Sequence, residues 1–192
     1  MDYWILALSW AIFYTTHSVF AASKLKRILK EKLGSAYKWY RLFYSLFSLL
    51  LLIGIGYVSI QIPTKKILPG SDISSYFGYM AATFGTIILV KSSKAWSWKE
   101  FIGIKEESNT KELIQSGWYA RVRHPLYLGI ILIFLGYFFV ASSMSSLIHL
   151  ICVLIYLPFG IYFEEKKLLQ TFGKTYETYQ KNVPALFPKL KK

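Results

Sequence analysis

The chain has 192 residues, of which 54% are hydrophobic and 18% aromatic, while only 17% are charged. A soluble domain carries roughly 25% charged residues, and here the charges stand in blocks between long uncharged stretches, which predicts membrane spans. The net charge of +13 could indicate nucleic-acid binding. The basic residues flank apolar stretches, however, so we expect contact with the lipid bilayer and not with nucleic acid. A single cysteine, Cys152, excludes a disulfide framework and a multi-cysteine metal site.

Five apolar stretches predict an all-α integral membrane protein of about five transmembrane helices. They lie at about 3–22, 42–62, 73–90, 126–141 and 147–163. The first is expected to be retained and not cleaved as a signal peptide, because Asp2 and no basic segment precedes it. Inside the second, Gly54 and Gly56 predict close helix packing.

The last two spans are predicted to form a helical hairpin. No Asp, Glu, Lys or Arg occurs from Pro125 to Phe163, and one helix of that length would reach almost ~60 Å, nearly twice the bilayer core. The serine-rich segment 142–146 is the natural turning point. An amphipathic helix is expected at about 164–180, and residues 1–192 read as one domain with no internal repeat.

The basic residues also predict the orientation of the spans. Of the 23 Lys and Arg residues, 21 fall on one side of a five-span arrangement, as the positive-inside rule requires of the cytoplasmic side. We therefore expect the N-terminus outside, and the C-terminus and both long polar segments in the cytoplasm.

Candidate chemistry gathers in two cytoplasmic segments, of which the first is 112–129. Pro125 suits the first turn of a helix, and the turn before it is expected to expose backbone N–H groups that bind an anion. Arg123 and His124 add positive charge there, and Gly117 and Gly129 permit close backbone approach. The same residue types are common at membrane interfaces, so the residues alone favour a site and an anchor equally.

The second segment, 163–184, opens with Glu164 and Glu165 directly after the apolar stretch, where an unpaired acid is costly. Adjacent helical residues point about 100° apart, so at most one of them is expected to face a pocket. The alternative is a solvated start of a helix with Lys166 and Lys167 as partners.

Together the two segments resemble the isoprenylcysteine carboxyl methyltransferase and phospholipid methyltransferase superfamily of membrane enzymes. Ser116 to Gly129 matches its Ser-Gly-x-Tyr-x-x-x-Arg-His-Pro-x-Tyr-x-Gly motif, and Glu164 to Pro184 matches its Glu-Glu to Val-Pro tail. The resemblance implies a cytoplasmic pocket for S-adenosylmethionine, with Glu164 or Glu165 near the reacting centre and Arg123 beside them. The implied cofactor residues are Gln115, Gly117, Tyr119, His124, Pro125, Tyr127, Leu128, Gly129 and Glu164.

The N-terminal half resembles bacterial relatives that include methanethiol S-methyltransferases, through the segment 16–23 and Tyr40-Arg41. By that resemblance His17 would orient or deprotonate the methyl acceptor. The competing interpretation is an interhelical hydrogen bond. His149, in the last span, is interpreted as structural.

The predicted function is methyl transfer from S-adenosylmethionine to a small or lipophilic acceptor. Carboxyl methyltransferases of the superfamily carry an arginine shortly before the glutamate pair, whereas no arginine follows Arg123 here, so a thiol is favoured. Isoprenylcysteine carboxyl O-methylation and phospholipid N-methylation are the alternatives within the class. An NADPH-dependent membrane reductase and a non-catalytic membrane component are the alternatives outside it. The oligomeric state does not follow from the sequence.

Overall fold

A computed structural model describes residues 3–94 and 112–188, and every named element in these ranges is helical. The prediction of an all-α fold is therefore confirmed. Two short 3-10 helices, Gly34–Trp39 and Gly117–Ala120, accompany the α-helices. The α-helices are α1 (Tyr3–Ala21), α2 (Ser23–Leu33), α3 (Tyr40–Gln61), α4 (Asp72–Ser93), α5 (Pro125–Ala141), α6 (Met144–Phe172) and α7 (Lys174–Asn182).

Four helical segments are long and apolar enough to cross a membrane, which makes the chain an integral membrane protein. They are α1, α4, α6 and the stretch Ser23–Gln61, which contains α3. Helix α5 is apolar throughout but has 17 residues, so the count of five spans stays a prediction. The contacts divide the chain into two compact units, one with α1 to α3 and one with α4 to α7. This division into two units does not test the prediction of a single domain.

In the first unit, α1 packs on α3, with Leu6, Trp10 and Ile55 buried. The glycines of α3 do not take part in close packing. A Cβ atom built on Gly54 or Gly56 would have nothing within 4 Å among the described residues. The prediction of helix packing at these two glycines is therefore wrong.

Close glycine packing occurs in the second unit, between α4 and α5. A Cβ atom on Gly78 would lie 2.7 Å from the carbonyl oxygen of Gly136, and one on Gly136 would lie 2.5 Å from that of Gly78. Gly85 and Gly129 face each other in the same way, at 2.6 and 2.8 Å. The two backbones therefore touch at two points one heptad apart, as small residues allow in membrane helix pairs. We call these four residues the glycine seam.

The turn between α5 and α6 lies where the serine-rich segment predicts it. Ser142 adopts the left-handed conformation (φ 49°) and ends α5. Ser143 then caps α6 through a reciprocal capping box with Ser146. The chain before α4 braces this turn, because the Ile67 N–H donates to the Ser142 carbonyl at 2.9 Å and the Met144 N–H to the Lys65 carbonyl at 2.9 Å.

Helix α6 continues past the predicted end of the last span. It runs unbroken from Met144 to Phe172, and no separate amphipathic helix begins at Glu164. Nothing in the sequence near residue 164 stops a helix, whereas Gly173 has a φ of 52° and ends it. Its 29 residues extend ~44 Å, beyond the ~30 Å bilayer core. The part after Phe163 therefore lies outside the apolar stretch, and the nine-residue α7 folds back beside it.

Candidate functional site

A charged cluster forms where α5 begins and α6 leaves its apolar stretch. Arg123, His124 and Glu165 meet there, although the two segments that carry them are about 40 residues apart in the chain. The Arg123 Nη2 atom lies 2.7 Å from Glu165 Oε1, and His124 Nε2 lies 2.9 Å from the same oxygen. The hairpin produces this meeting, since it returns the chain to the end at which α5 started.

Glu165 uses both carboxylate oxygens inside the cluster. Oε1 also accepts from Arg123 Nε at 2.8 Å, and Oε2 accepts from the Gln180 side-chain amide at 2.9 Å. The side chains of Glu165 and Arg123 are 18% and 12% exposed. Burial raises the pKa of Glu165, but the hydrogen bonds from His124 and Arg123 and their charges outweigh it, so the pKa is lowered. Glu165 is therefore an ionised carboxylate held from several sides.

His124 lies between the two glutamates. Its Nδ1 atom is 3.5 Å from Glu164 Oε2, while its Nε2 atom faces Glu165, and its side chain is only 1% exposed. Burial lowers the pKa of His124, but hydrogen bonds and charge from Glu164 and Glu165 prevail and raise it. Both carboxylates therefore contact one imidazole ring, and of the two glutamates Glu165 lines the adjoining pocket.

The segment after α7 clamps the start of α5. The backbone N–H groups of Arg123 and His124 donate to the carbonyl oxygens of Pro184 and Ala185, at 2.9 and 3.0 Å. Arg123 Nη1 also donates to the carbonyl of Val183. These two N–H groups are not free to bind an anion, because carbonyl oxygens of the same chain already accept their hydrogen bonds. The predicted anion site before Pro125 is therefore wrong for them. We call residues 183–185 the clamp. Arg123 connects the clamp to Glu165.

Tyr176 adds a buried polar atom beside the cluster. The residue is 1% exposed, and its hydroxyl has no hydrogen-bond partner among the described residues. Burial, followed by the charge of Glu165, raises the pKa of Tyr176 above its usual range. Glu165 is the polar group beside this hydroxyl, so Tyr176 packs against the buried side of the cluster.

An open pocket of about 480 Å³ adjoins the cluster, a volume within the range of small-molecule sites. Its lining combines a carboxylate, an ammonium group and amides with apolar side chains. The lining residues are Tyr162, Glu165, Lys166, Leu169, Gln170 and Gln180.

The predicted cofactor residues at the start of α5 have differing surroundings. Tyr119 is buried, and its carbonyl accepts from the Tyr179 hydroxyl at 2.6 Å. Gln115 and Gly117 are exposed, with Gly117 at a φ of 64°. Pro125 is fully buried in the first turn of α5.

Three further residues of that prediction face neighbouring helices. Leu128 packs with Ile88 and Val122 in a buried apolar cluster. Gly129 belongs to the glycine seam, and the Tyr127 hydroxyl lies against Gly160 of α6. Packing accounts for these contacts, and a place in the cofactor site stays a prediction.

His17 belongs to the first unit, and its hydrogen-bond partners among the described residues are neutral hydroxyl groups. The Tyr44 hydroxyl lies 2.8 Å from its Nε2 atom, and Ser48 Oγ lies 3.3 Å from Nδ1. These bonds agree with the interhelical interpretation, and a role in catalysis is not tested by them. His149 in α6 is buried against the rings of Phe134 and Tyr137, which agrees with a structural role.

The sequence analysis did not name Gln180, Tyr176 or the carbonyl acceptors Val183, Pro184 and Ala185 as site residues. Tyr176, Val183 and Pro184 are positions of the recognised tail motif, which was the available signal. The function of the clamp carbonyls as hydrogen-bond acceptors depends on how α7 folds back, which no local pattern encodes.

Residues 73–175 match the family model described as "Phospholipid methyltransferase". Several curated proteins are also similar. "Methanethiol S-methyltransferase" of Pseudomonas deceptionensis is 39% identical over 77 residues, which is 38% of this chain. "Methanethiol S-methyltransferase 2" of Bradyrhizobium diazoefficiens is 28% identical over 188 residues, or 94% of this chain. "Methanethiol S-methyltransferase" of Pseudomonas sp. (strain GM41(2012)) is 34% identical over 100 residues, or 47% of this chain.

The alignments cover these relatives to different extents. The chain spans 28% of the Pseudomonas deceptionensis protein, 71% of the Bradyrhizobium protein and 37% of the Pseudomonas sp. protein. No solved structure is significantly similar to this chain.

Proposed function

Since this chain belongs to the phospholipid methyltransferase family, we propose that it is an S-adenosylmethionine-dependent enzyme that methylates a small thiol. The observation that carries the proposal is the cluster of Arg123, His124 and Glu165, which unites the two motif segments at one end of the hairpin. The matched residues 73–175 include the whole cluster. The names of the similar bacterial proteins support a thiol as the acceptor.

The proposed site opens to the cytoplasm. The basic residues that flank the apolar helices support this orientation, because the segments on both sides of the cluster are rich in Lys and Arg. The cofactor is a charged, water-soluble molecule, so a site at the aqueous edge of the bilayer suits it.

The residues beside the cluster fit the cofactor chemically. When bound, S-adenosylmethionine supplies an electrophilic methyl group on a positively charged sulfonium. Glu164, whose side chain is 40% exposed, offers a carboxylate for a cationic group of the ligand. Lys166, on the pocket wall, offers an ammonium group for the ligand carboxylate.

The two glutamates would then have different functions. Glu165 is held by Arg123, His124 and Gln180, so we assign it as a positioning residue that fixes the imidazole and the start of α5. Within the described part of the chain Glu164 has one long contact, with His124, and its 40% exposed side chain is open to a ligand. The alignment of donor and acceptor that follows from a rigid site is the main source of catalysis in this proposal.

A thiol acceptor must lose its proton as the new S–CH₃ bond forms, and a thiol with a pKa of about 8.5 is mostly protonated at neutral pH. His124 is a poor proton acceptor because two carboxylates favour its charged form. Glu164 and His17 are the proposed proton acceptors. The inclusion of His17 depends only on the resemblance of segment 16–23 to bacterial relatives and on the ability of an imidazole to accept a proton.

A phospholipid amine is the second candidate acceptor, favoured by the description of the matching family. The first experiment measures binding of S-adenosylhomocysteine and of NADPH to the purified protein in detergent by calorimetry. Binding of the first alone supports the methyltransferase assignment. Binding of NADPH alone would replace it with a reductase, and binding of neither would contradict it.

The second experiment follows transfer of a labelled methyl group to methanethiol, phosphatidylethanolamine and a prenylcysteine. We expect methylation of the thiol. Labelling of the phospholipid or the prenylcysteine without the thiol would keep the cofactor and overturn the acceptor. Glu164→Gln serves as the inactive control, because it removes the available carboxylate and preserves the shape of the side chain.

A further inference from the structure

Helix α2 is too short to cross the membrane and directly follows a helix that is long enough to do so. It has 11 residues, or ~16 Å against a bilayer core of ~30 Å. Ala22 between α1 and α2 has an extended conformation (φ −62°, ψ 130°), which breaks the helix at the end of the apolar stretch. Because α1 ends at the membrane surface, α2 starts there.

The two faces of α2 differ in chemistry. At 100° per residue, Leu25, Ile28, Leu29 and Leu33 fall on one side of the helix. None of the residues of α2 is buried, and Ile28 and Leu33 are 36% and 44% exposed. The protein therefore leaves part of this apolar face uncovered.

The opposite face of α2 is basic. The helix contains five Lys or Arg residues and a single acid, Glu31. Arg27 and Lys30 lie on the side away from the leucines. Lys24 and Lys26 border the apolar face, and Lys32 falls within it. A short helix with an apolar face and a basic face is the type that lies in the plane of a membrane surface.

An aromatic anchor follows the helix. Trp39, just before α3, is 60% exposed, and Lys38 Nζ lies 5.5 Å from the centre of its ring. Exposed tryptophan beside lysine is typical of the membrane–water interface. The segment between α1 and α3 thus carries interfacial residues along its whole length.

We propose that α2 lies in the membrane–water interface and binds the headgroups of anionic phospholipids. The charge of the helix is complementary to such headgroups, and its place between α1 and α3 keeps it at the bilayer. Each Lys or Arg near an anionic surface contributes ~1 kcal/mol to such binding. A nucleic acid would also match the charge, but it would not cover the apolar face.

The test uses the full chain reconstituted in phosphatidylcholine bilayers. Electron paramagnetic resonance compares how much spin-labelled phosphatidylglycerol and spin-labelled phosphatidylcholine is immobilised at the protein surface. We expect a several-fold preference for the anionic lipid that weakens with salt. The variant Arg27→Gln/Lys30→Gln should lose most of this preference. The control Lys174→Gln/Lys181→Gln removes the same charge from exposed positions of α7 and should retain it.

Absence of a preference in the unmodified protein, or equal losses in the two variants, would overturn the proposal. A second measurement tests whether the helix lies flat. In a Cys152→Ala background, a fluorophore on Ile28→Cys should be quenched by brominated lipid, and one on Arg27→Cys should be quenched by aqueous iodide. Equal quenching of both probes by iodide would contradict an interfacial helix even if the anionic lipid were bound.

Discussion

Two histidines of this protein, His17 and His124, illustrate how surroundings decide what an imidazole can do. His17 lies in the apolar helix α1 and bonds the neutral hydroxyls of Tyr44 and Ser48. His124 lies at the edge of the apolar region between two carboxylates. Neutral hydroxyl groups do not favour the charged imidazolium strongly, whereas paired carboxylates do. The comparison separates a histidine with neutral hydrogen-bond partners from one held by two carboxylates.

Removal of the Glu165 carboxylate should have the largest effect on the surroundings of His124, and so on the difference between the two histidines. Glu165→Gln leaves Arg123 and His124 without their shared anion. We expect a loss of about 2 kcal/mol in the free energy of unfolding, below the range of fully buried pairs because the cluster is partly exposed. Methyl transfer should also fall to background. The apparent Tm in detergent and the labelled-methyl assay check both, and an unchanged Tm would refute the positioning role.

Glu164→Gln should affect activity far more than stability. Its carboxylate is the more exposed of the two and has a single long contact with His124. We expect a Tm close to that of the unmodified protein with a loss of methyl transfer of at least ~100-fold, a typical effect for a group at the reacting centre. If Glu164→Gln and Glu165→Gln lowered the Tm equally, the proposed division between the glutamates would be wrong.

The pH dependence of stability should identify the charge on His124. Its folded-state pKa lies above the ordinary 6.5, so its stabilising contribution is complete below pH 6.5 and is lost as the pH rises through the raised pKa. The difference in Tm between the unmodified protein and His124→Gln should therefore shrink as the pH rises through that range. A difference that grew with pH would indicate a neutral imidazole.

The smallest expected effect is that of Tyr44→Phe, which removes one neutral hydrogen bond at a cost of about 1 kcal/mol. If His17 is a proton acceptor, this variant and His17→Gln should lower kcat for the thiol and leave the affinity for S-adenosylhomocysteine unchanged. Full activity of both variants would assign His17 to helix packing alone.

The sequence was sufficient to predict the long apolar helices and the serine turn, because span length and turn residues are local properties. The same local reasoning failed for Gly54 and Gly56, since a glycine inside a span does not reveal whether another helix approaches it. For the pair Glu164 and Glu165 the 100° separation agrees with a pocket lined by Glu165, but it did not predict that one imidazole contacts both carboxylates.

The contacts of the clamp could not be derived from local patterns either. The carbonyl oxygens of Pro184 and Ala185 reach the start of α5 only because α7 folds back after Gly173. Residues about 60 positions apart thereby share backbone hydrogen bonds. The motif residues were recognisable, whereas their partners depended on the tertiary fold.

The glycine seam also limits how a substrate dissolved in the bilayer could travel. At Gly78–Gly136 and Gly85–Gly129 the backbones of α4 and α5 are in direct contact, and no gap remains there for an acyl chain or a small volatile molecule. A molecule therefore cannot pass between α4 and α5 at these two contacts. A molecule in the bilayer would have to reach the other side of this helix pair away from these two contacts.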